Sequence, residues 1–139
     1  MILRLTKQFD FQMAHALDGY DGKCRNIHGH NYKLFVTVEG QPINDLESAK
    51  RGMVMDFSDI RRVVEAAVVE PYDHAFVVPE GSPFANVEGT KLAVVPFQPT
   101  CENLLFQFAS LLDGRLPQGV RLHSLRLYET DTSCAELIL

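Results

Sequence analysis

The chain contains no tryptophan and only three cysteines, at positions 24, 101 and 134 of its 139 residues. An odd number without framework spacing argues against a disulfide-stapled secreted domain and for reduced thiols in the cytoplasm. Long apolar runs are missing too: none approaches the ~18 residues of a membrane-spanning helix, so no membrane partner is expected. The opening Met1-Ile2-Leu3-Arg4-Leu5-Thr6-Lys7 enters a strand pattern directly and lacks the build of a secretory signal. Positive charge is scarce, with 13 Lys and Arg against 18 Asp and Glu and a net charge of −5. There is no basic run and no basic–aromatic interleaving, so no nucleic-acid partner is expected. A phosphorylated small molecule stays open, because local fields rather than the average charge decide that. What remains is 46% hydrophobic and 22% charged, the balance of an ordinary globular protein. Residues 1–139 suffice for one domain with a core of its own.

Histidine is also sparse, and its placement is the most informative feature. Three of the five, His15, His28 and His30, fall within sixteen positions, with Cys24 among them. The flanking residues alternate like strands. Leu5, Phe9, Phe11 and Met13 occupy odd positions, and His15 continues that face. His28, His30, Tyr32, Leu34, Val36 and Val38 share the even face of the next segment. Strand side chains alternate with period two, so all three imidazoles point to the buried side of a sheet. Buried imidazoles need hydrogen-bond partners or a metal. Three neutral imidazoles with an open fourth position make a catalytic zinc site. Two other readings stay open: core histidines bonded to backbone carbonyls, and a closed structural site in which Cys24 is the fourth ligand.

The rest of the chain reads as alternating layers. A strand over 2–15 and another over about 29–39 flank a Gly/Asp-rich loop, and the pair is antiparallel. Asp56 is a suitable N-cap, with Asp59 in the first turn, for a helix striped by Ile60, Val63, Val64, Ala67 and Val68. Pro71 is expected to stop it. Residues 75–97 read as irregular, with a short strand at Leu92–Val95. Thr100 caps a second helix with Glu102 in its first turn, Leu104, Leu105, Phe108, Leu111 and Leu112 form its stripe, and Gly114 ends it. Two closing strands are expected at 120–129 and 134–139. The order ββααββ predicts an α+β architecture, two helices on one face of a four-stranded antiparallel sheet, whose open edges can be protected by pairing with other subunits.

Motifs in order along nearly the whole chain carry a resemblance: Phe11-Gln12-Met13-Ala14-His15; Cys24-x-x-x-His28-Gly29-His30-Asn31-Tyr32; Gly52-Met53-Val54-Met55-Asp56-Phe57; Asp73-His74; Pro99-Thr100-Cys101-Glu102-Asn103; and Glu129-Thr130. Together they resemble the family of 6-pyruvoyl- and 6-carboxy-tetrahydropterin synthases, whose tunnelling fold (T-fold) closes ββααββ subunits into an oligomeric β-barrel. The resemblance implies zinc on His15, His28 and His30, and Cys24 as a general base or acid. It implies Asp73 and His74 as a second proton-transfer pair, reaching the site from a neighbouring subunit, with Asp73 orienting His74. Glu129 would anchor the pterin. Thr100 and Glu102 are further substrate-binding candidates, with capping ranked first for Glu102.

The implied substrate is 7,8-dihydroneopterin triphosphate and the implied assembly a homohexamer of two stacked trimers. The compact Cys24-to-His30 spacing is more similar to the 6-carboxy-tetrahydropterin synthases of queuosine (7-deazapurine) biosynthesis. The alternatives are a 6-pyruvoyl-tetrahydropterin synthase, which stops at triphosphate loss, and a non-catalytic zinc-binding paralogue. Relatives commonly follow Asp-His with a Leu-Asn pair, whereas here Ala75-Phe76-Val77-Val78-Pro79 follows and 79–97 is longer than the usual connection. Cys101 and Cys134 are expected to be packing residues, and His123 surface or structural.

Overall fold

A computed structural model covers residues 1–139. Strand β1 (Leu3–His15) pairs antiparallel with β2 (His28–Gly40) in unbroken register from Leu3↔Gly40 to His15↔His28. The period-two pattern is the cause. Phe9, Phe11, Met13, Tyr32, Leu34, Val36 and Val38 are buried, while Gln8, Asp10, Gln12 and Asn31 between them are exposed. A slip of one residue would exchange the two faces. On the other side of β2 lie β5 (Val120–Thr130) and β6 (Ser133–Ile138), both antiparallel. These four strands are the expected antiparallel sheet.

The sheet has two more strands. β3 (Ala75–Pro79) runs parallel to β1, and β4 (Leu92–Val95) parallel to β3, giving the order β4-β3-β1-β2-β5-β6. The expectation of an irregular 75–97 is therefore corrected at its start. Ala75, Phe76, Val77 and Val78 are all buried. A strand covered on both faces shows a continuous apolar run rather than alternation, which is why its period is silent.

The helices pack on the apolar face. Asp56 accepts the Ser58 N–H at 2.8 Å and caps α1 (Phe57–Val64), which continues through a π-helical stretch, Glu65–Val69, into a last turn, α2 (Glu70–Tyr72). Pro71 does not stop the helix before this turn but sits within it. A proline ring crowds the carbonyl four residues back and supplies no N–H, and the wider π spacing, as in Glu70 N–H to Glu65 C=O, takes up that break. Thr100 accepts the Asn103 N–H at 3.2 Å and caps α3 (Cys101–Leu112). From α3, the fully buried Phe108 meets Phe11 of β1 edge-on at 6.1 Å between ring centres and Tyr72 at 5.2 Å. That one ring joins both helical segments to the sheet.

On the polar face, at the far end of the strands from the histidines, Glu39 is only 3% exposed. Arg4 Nε donates to it at 3.0 Å, Arg121 also pairs with it, and His123 Nδ1 lies 3.2 Å away. The hydrogen bond from Arg4 foremost holds its carboxyl below the usual range. His123 is thus structural, as expected.

Truncating Phe108 to Ala should cost about 3–5 kcal/mol, because it removes the shared contact of three elements. Urea unfolding checks this, and Phe108→Leu should lose clearly less. Equal losses would mean that ring shape, not volume, holds α3 in place.

Candidate metal centre and adjoining cavity

The hairpin register brings the histidines together. His15 closes β1 directly opposite His28, which opens β2, and His30 follows on the same face. The ring centres lie 4.5, 5.3 and 4.9 Å apart, and one nitrogen from each ring falls within 4.8 Å of the others. His15 Nδ1 lies 2.8 Å from the Pro99 carbonyl and His28 Nδ1 lies 2.7 Å from the Asn26 carbonyl. A carbonyl only accepts, so both Nδ1 atoms carry the proton and both Nε2 atoms present lone pairs. Those two Nε2 atoms stand 2.8 Å apart. Two lone pairs cannot bond each other, so a proton or a cation must lie between them. His30 Nε2 is buried with no hydrogen-bond partner.

Burial, foremost, lowers the pKa of His15 and of His30, which favours the neutral, ligating form. The residues therefore fit a metal ion better than an extra proton. Tying Nδ1 to a carbonyl is also how metal-ligating histidines are oriented.

A cavity of about 300 Å³ adjoins His15 and collects Cys24, Thr100, Glu102 and Glu129. Cys24 sits on a 3₁₀ turn, Lys23–Arg25, whose loop is pinned by the Leu17 N–H to the Cys24 carbonyl at 2.9 Å. It is not part of the ligand cluster, so the closed site of three histidines and one cysteine is not formed. Glu129 Oε1 lies 3.5 Å from His15 Nε2 and 3.6 Å from His30 Nε2, and accepts the Tyr32 hydroxyl at 3.4 Å. Burial and the neighbouring Glu129 raise the Tyr32 pKa, keeping the phenol a donor.

Cys101 lines the same cavity, but burial pushes its thiol up to about 11, and Sγ donates to the Leu127 carbonyl at 3.3 Å. It packs, as expected. Cys134, by contrast, is exposed at the cavity mouth rather than packed.

Asp73 and His74 lie elsewhere. They line a separate groove with Asp10, Gln12 and Asn31, the polar face of the sheet, opposite the face that carries the histidines. They are in contact with each other: His74 Nδ1 lies 2.9 Å from Asp73 Oδ1, which also accepts the Gln12 N–H at 3.0 Å. One chain therefore brings together seven of the nine expected site residues and sets two apart.

The sequence profile of the family described as 6-pyruvoyl tetrahydropterin synthase matches residues 4–138. The chain belongs to this family. A 6-carboxy-5,6,7,8-tetrahydropterin synthase of Haemophilus influenzae is 38% identical over 144 aligned residues, covering 97% of this chain and 98% of the relative. The human 6-pyruvoyl tetrahydrobiopterin synthase is 36% identical, over 81% of this chain and 68% of its own. Among solved structures, the Caenorhabditis elegans 6-pyruvoyl tetrahydropterin synthase superposes with a TM-score of 0.72 at 24% identity, covering 100% of this chain and 96% of that one. An uncharacterized Wolinella succinogenes protein reaches a TM-score of 0.80 at 23% identity, covering 99% and 98%. These likenesses establish the α+β tunnelling fold that the motifs implied.

Within this family member, sequence reasoning missed the residues that orient the others. Tyr32 was legible only as a core position, although it shares the face of His28 and His30. The carbonyls of Pro99 and Asn26 leave no side-chain signal.

Asp73 gives a pH test. The Gln12 N–H foremost, and His74 beside it, hold its carboxyl below the usual range. A lowered folded value means that the carboxylate adds stability above the unfolded value of about 4. That gain disappears as pH falls through the folded value. The stability gap between wild type and Asp73→Asn, read as urea midpoints, should be widest near neutrality and close below about pH 4. A gap that does not vary with pH would mean that side-chain shape, not charge, supports the turn.

Proposed function

We propose that the chain is a zinc-dependent 6-carboxy-5,6,7,8-tetrahydropterin synthase. It converts 7,8-dihydroneopterin triphosphate and water to 6-carboxytetrahydropterin, acetaldehyde and triphosphate, a lyase step in queuosine biosynthesis in the cytoplasm. The observation that carries this reading is the set of inward-facing imidazole nitrogens beside a cavity lined by the Cys24 thiol and the Glu129 carboxylate. The Haemophilus influenzae relative, matched end to end, supports the 6-carboxy over the 6-pyruvoyl product.

His15, His28 and His30 would hold the zinc. Bound there, zinc supplies Lewis-acid polarisation of the substrate's side-chain oxygens. Glu129 accepts two hydrogen bonds from the amino and ring N–H edge of the pterin, with the Tyr32 hydroxyl fixing its carboxylate. Cys24 exchanges a proton with the reacting side chain. Thr100 and Glu102 shape the cavity wall from the start of α3, where Glu102 also favours the helix N-terminus. Asp73 accepts from His74 Nδ1, which leaves His74 Nε2 to move a second proton. Asp73 and His74 face away from the cavity of their own chain, so they would serve the cavity of a neighbouring one. The family resemblance implies a homohexamer of two stacked trimers with sites at the subunit interfaces, and such an assembly would also cover the edges β4 and β6.

Zinc-loaded protein incubated with 7,8-dihydroneopterin triphosphate should release acetaldehyde together with a 6-carboxy pterin. A 6-pyruvoyl product without acetaldehyde would move the assignment to the other branch of the family. No turnover by folded, zinc-bound protein would make it a non-catalytic paralogue. Cys24→Ala should keep its zinc and lose about 10²–10⁴-fold in kcat, the usual worth of a general acid or base. Loss of the metal instead would return Cys24 to the ligand set.

A further inference from the structure

The turn that carries Asp73 and His74 is held from three directions. His74 has a left-handed backbone, φ 61°, uncommon for a residue with a Cβ. From β1, the Gln12 carbonyl accepts the His74 N–H at 2.6 Å, and the Gln12 N–H donates to Asp73 Oδ1 at 3.0 Å. From the helix, the Val69 carbonyl accepts the Asp73 N–H at 2.7 Å. The His74 N–H, which would extend the helix onto the Glu70 carbonyl, has therefore gone to the sheet.

Lys91 supplies the third hold. Its ammonium donates to the Glu70 carbonyl and, at 2.8 Å, to the Asp73 carbonyl. One cation thus spans the last helical turn and the turn that follows. A positive charge there also suits the negative end of the helix. The root of the side chain is fixed as well, because the Lys91 carbonyl accepts the Phe76 N–H at 2.8 Å as β3 begins. Lys91 comes from the connection between β3 and β4.

We infer that Lys91 is a positioning residue for the Asp73–His74 pair, tying the end of the helix to the turn so that the His74 imidazole is presented in one orientation. This rests on the proton-transfer part proposed for His74. Arginine, of similar reach, keeps the positive charge and has donors for both carbonyls, whereas methionine keeps only the apolar stem. Misplacement of a catalytic group by about 1 Å can cost about a hundredfold in rate.

The test compares zinc-loaded wild type with Lys91→Met, Lys91→Arg and His74→Asn. It reads kcat and KM for 7,8-dihydroneopterin triphosphate, and residue-resolved amide exchange without substrate. For Lys91→Met we expect kcat to fall about ten- to a hundredfold with KM little changed. Exchange should quicken about tenfold at the amides of Gln12, Asp73 and His74 while β3 and β4 keep their protection. Lys91→Arg should recover most of both. Wild-type exchange at those three amides in Lys91→Met overturns the proposal. So does an unchanged kcat when His74→Asn has abolished turnover, or a uniform loosening of β3 and β4. If His74→Asn turns over normally, it is the part assigned to His74 that fails, and the exchange pattern alone decides whether Lys91 holds the turn.

Discussion

The pairing of His15 with His28 across β1 and β2 is the constraint on which the candidate site depends. It sets the phase of both strands, so that the same alternation that buries Phe11, Met13, Tyr32 and Leu34 turns all three imidazoles inward. The Pro99 carbonyl that orients His15 immediately precedes Thr100, the cap of α3, so the start of that helix and the tautomer of His15 are set by one stretch of backbone. The Asn26 carbonyl does the same for His28 from the loop that carries Cys24. Burial then leaves nitrogen lone pairs facing one another with nothing of their own to bind. An unsatisfied buried polar group costs ~1–3 kcal/mol. The triad is thus an arrangement that folding alone leaves incomplete.

The two faces of the sheet divide the candidate site residues. The apolar face holds the histidines, Glu129, Tyr32 and the cavity with Cys24; the groove beside the polar face holds Asp73 and His74. The thiols are sorted just as clearly. Cys101 is kept protonated by burial and spends its hydrogen on a strand carbonyl, whereas Cys24 stands on a short turn and lines the same cavity as His15.

Much of this was legible in the amino acids. The period-two runs around His15 and His30 gave the hairpin, its register face and the triad; Asp56 and Thr100 marked both helix starts. What could not be read shares one physical reason, that the signal is carried by backbone or by tertiary cover. β3 is buried on both sides and so has no period. The π stretch answers a proline six residues downstream of its first residue rather than any local preference. The approach of Glu129 to His15 and His30 crosses from β5 to β1 and β2, and the placement of Asp73 and His74 behind the sheet depends on β3 lying beside β1. Both follow from strand order, which spacing along the chain does not encode.

Hydrophobic alternation has a weakness: it penalises a slip of one residue between strands but not a slip of two, which restores every apolar side chain to the core. Glu39 removes that degeneracy. It stands directly opposite Arg4 on β1 and directly opposite Arg121 on β5. A two-residue shift on either side would cost this sheltered carboxylate one of its two guanidinium partners. Glu39, at the opposite end of the hairpin from the histidine triad, therefore acts as an index mark for three strands, and the meeting of His15 with His28 inherits its accuracy.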